Sequence, residues 1–222
     1  MLHLLRKVCA RKSSADDSVN EQRILKHALD SFATQGYAAS GLRAIAKDAD
    51  VTAPMVNYYF KTKESLYQRV GAMVLDAVAS TIAEAWPTEG GLEDILRTNL
   101  EAHLRFTAEF PEAIAFLFGL LYGPSGGAPL IDFSKYEEVE ERVRKAFERA
   151  TRTGELALLE GVTRQDAVEL YQAFVLSMVS HAFKARRFGK PALDPRAAVR
   201  RLGMVLAGIG TLRVEAKRSV AR

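Results

Sequence analysis

The sequence predicts an all-α fold of about nine helices, the first three forming a helix-turn-helix ahead of a longer helical body. Three observations lead there. Apolar residues recur at helical spacing from Ser18 almost to the end of the 222 residues. No stretch shows sustained strand alternation with β-branched enrichment, and nothing repeats with a period of roughly 20 to 50 residues. The positive charge is confined to one end: residues 1–70 carry 11 Lys/Arg against 7 Asp/Glu, which leaves 20 of each among the remaining positions of the 31 and 27 in the chain. A small module for an anionic partner, joined to a neutral body, fits that asymmetry.

Composition excludes several classes. With 48% hydrophobic and 26% charged residues the chain is an ordinary globular protein rather than a disordered or fibrous one. The single Cys9 cannot form an internal disulfide, which fits a reducing, cytoplasmic compartment; an intersubunit redox bridge is the alternative role for it. The N-terminal apolar stretch is short and precedes its charges, the wrong order for a secretory signal, and no apolar run reaches the roughly 20 residues of a membrane span.

The elements follow in order. Residues 1–17, with Arg6, Lys7, Arg11 and Lys12, read as a basic flexible arm without periodicity. Ser18 and Glu21 form a capping box for a first helix carrying Ile24, Leu25, Ala28, Leu29 and Phe32 on one face, and Gly36 stops it. Ser40 is positioned to cap a short second helix with Leu42, Ile45, Ala46 and Ala49 inward, broken at Asp50-Val51. Thr52 caps a third, which tolerates Pro54 in its first turn and runs to Phe60. Thr62 opens a long fourth helix toward Trp86. Helical signals continue over 91–110, 111–122, 134–152, 163–188 and 194–214, with Gly123 to Pro129 as a breaker-rich connection.

A helix, a tight break and a second short helix between Ser40 and Phe60 have helix-turn-helix spacing. With Val51, Val56 and Phe60 assigned to the core, the third helix presents Ala53, Pro54, Met55, Asn57 and Tyr58. Acidic residues on such a face would repel phosphate, and none occurs between Val51 and Lys63.

The run from Ile24-Leu25 through Phe32, Gly36-Tyr37, Ser40, Arg43-Ala-Ile-Ala46, Val51-Thr52, Asn57-Tyr-Tyr-Phe60 and Lys63-Glu-Ser-Leu66 closely resembles the DNA-binding domain of the TetR/AcrR family of transcriptional regulators. Two residues depart from the pattern: Asp50 stands where Gly is usual in the turn, and His27 where a small residue is common. The resemblance implies a DNA-binding domain over 18–66 and an effector-binding and dimerisation domain over 67–222. It implies double-stranded operator DNA, a small-molecule effector and a second copy of the chain as partners, with no cofactor and no membrane. The expected activity is that of a repressor on an inverted repeat, released by a small ligand that the bulk of aromatic and aliphatic candidates in the body suggests is hydrophobic or amphipathic; an activator or ligand-corepressed regulator of the same fold is the alternative.

Thr52 and Tyr59 are phosphate contacts by that resemblance. Asn57 and Tyr58 suit base reading, because an Asn amide pairs with adenine N6 and N7 while a Tyr edge packs on a thymine methyl. Pro54, Met55 and Ala53 add apolar contacts. Arg43 faces the groove wall, Lys61 and Lys63 either hold phosphate or are solvated, and the arm reaches a minor groove. Trp86, His103, Phe106, Phe110, Phe116, Tyr122, Tyr136, Phe174, Met178 and His181 either form core or line an apolar effector pocket. The last two helices are apolar on more than one face, and the resemblance implies that they pair with a second copy through Tyr171, Val175, Val179, Leu202, Val205, Leu206 and Ile209. No HExxH, GxGxxG or Walker A motif and no metal-ligand cluster points to an enzyme; a helical-bundle enzyme is the rival reading.

Overall fold

The computed structural model describes residues 15–123 and 126–213, with the side chains of 15–18 left aside. Cys9 and most of the expected arm fall outside the described residues. Among those described, nine helices and one pair of short strands divide into two compact units, the described residues within 1–80 and 109–137 and those within 81–108 and 138–222.

The first unit begins with α1 (Ala15–Ala39), which is already helical three residues before Ser18; Gly36, at φ 79°, breaks it as expected. Next come α2 (Leu42–Asp48), α3 (Ala53–Phe60) and the greater part of α4 (Lys63–Ala85). Their shared core is Ile24, Leu25 and Phe32 of α1, Ile45 and Ala46 of α2, Val56 and Phe60 of α3, and Leu66 and Tyr67 of α4. Each of the large aliphatic and Phe side chains among these, removed from water, contributes about 1.5–3 kcal/mol. Helix α6 (Pro111–Tyr122) lies along α1. There Asp30 of α1 is partly desolvated and faces Glu112, and both effects hold its carboxyl above the usual range, while nearby Lys26 and His27 oppose them. His27 is half-buried.

The second unit contains α5 (Leu92–Glu109), α7 (Ser134–Thr153, largely within this unit), α8 (Arg164–Arg187) and α9 (Pro195–Ile209). The sequence expects no strand, yet β1 (Leu156–Leu158) pairs antiparallel with β2 (Gly210–Leu212), Ala157 opposite Thr211. Three-residue strands leave no readable alternation, and the pairing ends α9 at Ile209 rather than Val214. Gly210 is needed there because a Cβ would meet the Ala157 carbonyl oxygen. Glu155, beside β1, accepts the backbone N–H of Leu92 and so closes the start of α5. Thr163 and Asp166 form a full capping box at the start of α8.

Between α5 and α8 the core holds polar groups. Tyr171 Oη lies 2.8 Å from the Leu96 carbonyl oxygen and 2.7 Å from the Asn99 side-chain amide. Both of those partners are acceptors, Leu96 through its carbonyl and Asn99 through Oδ1, so the one hydroxyl proton of Tyr171 is shared between them, while Asn99 Nδ2 is a buried donor without a hydrogen-bond partner. One turn on, His103 Nδ1 donates to the Asn99 carbonyl oxygen at 2.9 Å, and burial pushes its pKa below 6.5. The folded protein thus refuses a proton that the unfolded chain accepts below about pH 6.5. His103 therefore contributes stability that is fully present above that pH and declines as pH falls from 6.5 toward its lower folded value. Urea unfolding at pH 7.5 and 5.5 should show a smaller pH-dependent loss in His103→Gln than in the parent; equal losses would place the acid sensitivity elsewhere.

Candidate nucleic-acid interface

Eight residues of α3 are too few for a stable isolated helix, so its position comes from the turn before it and from its buried face. At the turn the Val51 N–H donates to the Ala46 carbonyl at 3.0 Å and the Asp50 N–H to that of Lys47 at 3.0 Å. Asp50 carries φ 51°, the left-handed conformation that glycine adopts freely and Asp tolerates. Arg23 of α1 holds it, donating to the Asp50 carboxylate at 2.9 Å and to its carbonyl at 3.3 Å. Nothing in the local sequence pattern pointed to Arg23, whose partner lies 27 residues away.

Thr52 caps α3 as expected, its hydroxyl accepting the Met55 N–H at 3.4 Å, and Pro54 occupies the second helical position. Ser40 does not cap α2. It is buried, and its hydroxyl donates to the Gly36 carbonyl at 2.8 Å and accepts from Ser31 at 2.9 Å, closing the end of α1 instead. Gly41 stands at the α2 cap without a side-chain bond.

Val56 and Phe60, four residues apart, bury one face of α3. The opposite face exposes Thr52, Pro54, Asn57 and Tyr58, with Tyr58 76% exposed; Ala53, Met55 and Tyr59 are half-buried beside them. The Tyr58 and Tyr59 rings meet edge to face at 5.3 Å. Arg43 on α2 and Lys61, at φ 57° after α3, are exposed on the same unit. Lys63 is more constrained: its ammonium donates to the Ala38 carbonyl at 3.2 Å and sits 4.4 Å above the Tyr37 ring. Tyr37 in turn packs on Tyr67 and donates to Glu64 at 3.0 Å, a cluster the sequence pattern did not reveal. Thr62 caps α4, accepting the Ser65 N–H at 3.2 Å.

The expected effector residues are dispersed. In the first unit Phe110 and Phe116 are core, Tyr136 is half-buried and Tyr122 exposed; in the second His103, Phe106, Phe174 and Met178 are buried, Trp86 half-buried and His181 exposed. The expected dimer residues Tyr171, Val175, Val179, Leu202, Leu206 and Ile209 are buried inside the protomer and Val205 is half-buried. The large apolar side chains that α8 and α9 expose are Leu170, Leu176 and Met204, at 47%, 41% and 74%. On the helical wheel the buried and exposed sets are adjacent stripes, and both are apolar enough to have served.

A capped short helix, pinned through one face across a tight turn and presenting uncharged hydrogen-bonding groups on the other, defines a helix-turn-helix protein. Residues 24–70 match the family described as bacterial regulatory proteins, tetR family. Over that segment the chain carries a DNA-binding domain of the tetR family type. It is 31% identical over 124 residues to the HTH-type transcriptional regulator RutR of Escherichia coli K12, covering 54% of this chain and 55% of that protein, so the match spans about half the relative's length. To the regulator AcrR of Shigella flexneri it is 25% identical over 196 residues, 86% of this chain and 76% of the other. A TetR family transcription regulator from Marinobacter aquaeolei VT8 shares the fold at TM-score 0.67 and 18% identity, over 88% of this chain and 97% of that one.

The turn is testable apart from function. Asp50→Gly should stay within about 1 kcal/mol of the parent, since glycine removes the left-handed cost while an exposed Arg23 pair is lost; Asp50→Val should lose about 1–2 kcal/mol. Equal destabilisation of both in urea unfolding would show that backbone freedom is not what the turn requires.

Proposed function

We propose that this chain is a homodimeric transcriptional repressor that binds an inverted-repeat operator and is released by a small hydrophobic or amphipathic ligand. Residues 18–66 form the DNA-reading portion and 67–222 the effector-binding and dimerising portion. The observation that carries the reading is the exposed face of α3, where Thr52, Pro54, Asn57 and Tyr58 stand opposite the buried Val56 and Phe60. That face offers a hydroxyl, an amide and an aromatic edge without a carboxylate, the chemistry of major-groove contact. Thr52 and Tyr59 anchor phosphates, Asn57 and Tyr58 read bases, and Arg43 and Lys61 supply charge at the flanks. Lys63, held against Tyr37 and Ala38, retains donors for a phosphate while supporting the start of α4.

One module of this size buries too little for tight specific binding, which favours two copies on one face of the duplex. Leu170 and Leu176 of α8, with Met204 of α9, supply the apolar surface for pairing. Gly203 and Gly208 have open space around them and permit close helix approach. Met204→Glu should then convert a dimer to a monomer on sedimentation without loss of helicity, whereas a parent that already sediments as a monomer would remove the dimer from this reading.

Selection of bound fragments from a random duplex pool at near-physiological salt should enrich one inverted repeat; an unenriched pool would overturn sequence-specific regulation. On the selected site, Asn57→Ala should relax preference at one base position by about 1–3 kcal/mol, while Tyr59→Phe weakens all sequences alike. Uniform loss from both substitutions would contradict the division between reading and anchoring.

A further inference from the structure

The second unit contains a cleft of about 550 Å³ between α5, the end of α8, the 188–194 connection and the start of α9, within the size range of small-molecule sites. None of the ten residues expected to meet an effector lines it. Its walls are mostly apolar, with Leu100 and Leu104 from α5, Ala182 from α8, and Leu193, Ala198 and Val199 from the far side.

The charged lining is one-sided. Arg105, Arg186 and Lys190 line the cleft against the single carboxylate of Glu101, and Glu101 is already paired with Arg97 at 3.6 Å. Two of the three cations belong to ordered structure. Arg186 donates to the Ala108 carbonyl at 3.1 Å, bridging α8 to the end of α5 and leaving further guanidinium donors. Lys190 follows Gly189, whose φ of 62° turns the chain at the end of α8, and its N–H donates to the Ala185 carbonyl at 2.7 Å. That turn fixes the lysine backbone beside the cleft. Purely apolar occupants would leave these charges unused, and a small inorganic anion would leave the apolar walls wet.

We propose that this cleft binds an amphipathic anion, an apolar body carrying one carboxylate or phosphate head, with the body against Leu104, Leu193 and Val199 and the head held by Arg105, Arg186 and Lys190. Nothing in this assignment depends on DNA release, so it stands or falls apart from the repressor reading.

Calorimetric titration of the full chain with decanoate, decyl phosphate and decanol tests it. At least one of the two anions should bind about tenfold or more tightly than decanol, and the tighter anion identifies the head group. Arg105→Gln and Lys190→Gln, both exposed and remote from the core, should each weaken the preferred anion about three- to tenfold while leaving decanol unchanged. Ala192→Trp, at the exposed edge of the cleft, should abolish binding of all three ligands without changing the helical circular dichroism. Equal affinity for anions and decanol, no binding by any of them, or anion binding that survives all three substitutions would overturn the proposal.

Discussion

The left-handed residue between α2 and α3 is the constraint on which the rest of the interface depends. A helix of eight residues cannot choose its own direction; two buried side chains, Val56 and Phe60, fix its rotation, and the turn fixes its axis. If Asp50 relaxed to an ordinary right-handed or extended backbone, Val51 would lose its bond to the Ala46 carbonyl and α3 would pivot about Val56. The Arg23 contact opposes that relaxation from α1. Since Arg23 reaches both the carboxylate and the carbonyl of Asp50, it holds the backbone as well as the side chain. The exposed pair itself is weak. Its value is positional, because it ties the turn to α1, whose Ile24, Leu25 and Phe32 belong to the unit's core.

Much of the fold was legible because helices declare themselves in the local pattern. Thr52, Thr163 and Asp194 each cap the helix assigned to them, since a cap is a contact over two or three residues and needs no tertiary information. Ser40 has the same chemistry and a different role. Its hydroxyl had two sets of backbone groups in reach, and burial against α1 selected the Gly36 carbonyl rather than the N–H groups of α2. The β1–β2 pair was illegible for another reason: its two strands are separated by more than fifty residues and are too short to show a period.

The candidate interface was legible on α3 and opaque around it. On a short helix with two inward anchors four residues apart, the outward positions follow by elimination, so Asn57 and Tyr58 could be assigned from spacing. The support of that helix could not, because Arg23 with Asp50 and Lys63 with Tyr37 are pairings of distant residues whose types are common on any surface. Aromatic content over the body proved equally uninformative. Phe106 and Phe116 are core, Tyr122 is exposed, and the cleft in the second unit is lined by aliphatic residues at its walls and by cations that read as ordinary surface charge.

Helix α8 shows how a buried polar contact resolves an ambiguity that hydrophobicity leaves open. Two adjacent stripes of α8 are apolar, one through Tyr171, Val175 and Val179 and the other through Leu170, Ala173 and Leu176, and transfer energy alone barely separates them. The tyrosine separates them. A phenol hydroxyl buried without a partner would cost about 1–3 kcal/mol, so Tyr171 goes inward only where α5 offers it partners, and the Leu96 carbonyl and the Asn99 amide do so. With that bond made, the rotation of α8 is set, Val175 and Val179 follow Tyr171 into the protomer, and Leu170 and Leu176 turn outward. The polar trio of Asn99, Tyr171 and His103 acts on geometry as well as on stability. What it determines is which of two nearly equivalent apolar faces the body keeps and which it leaves exposed.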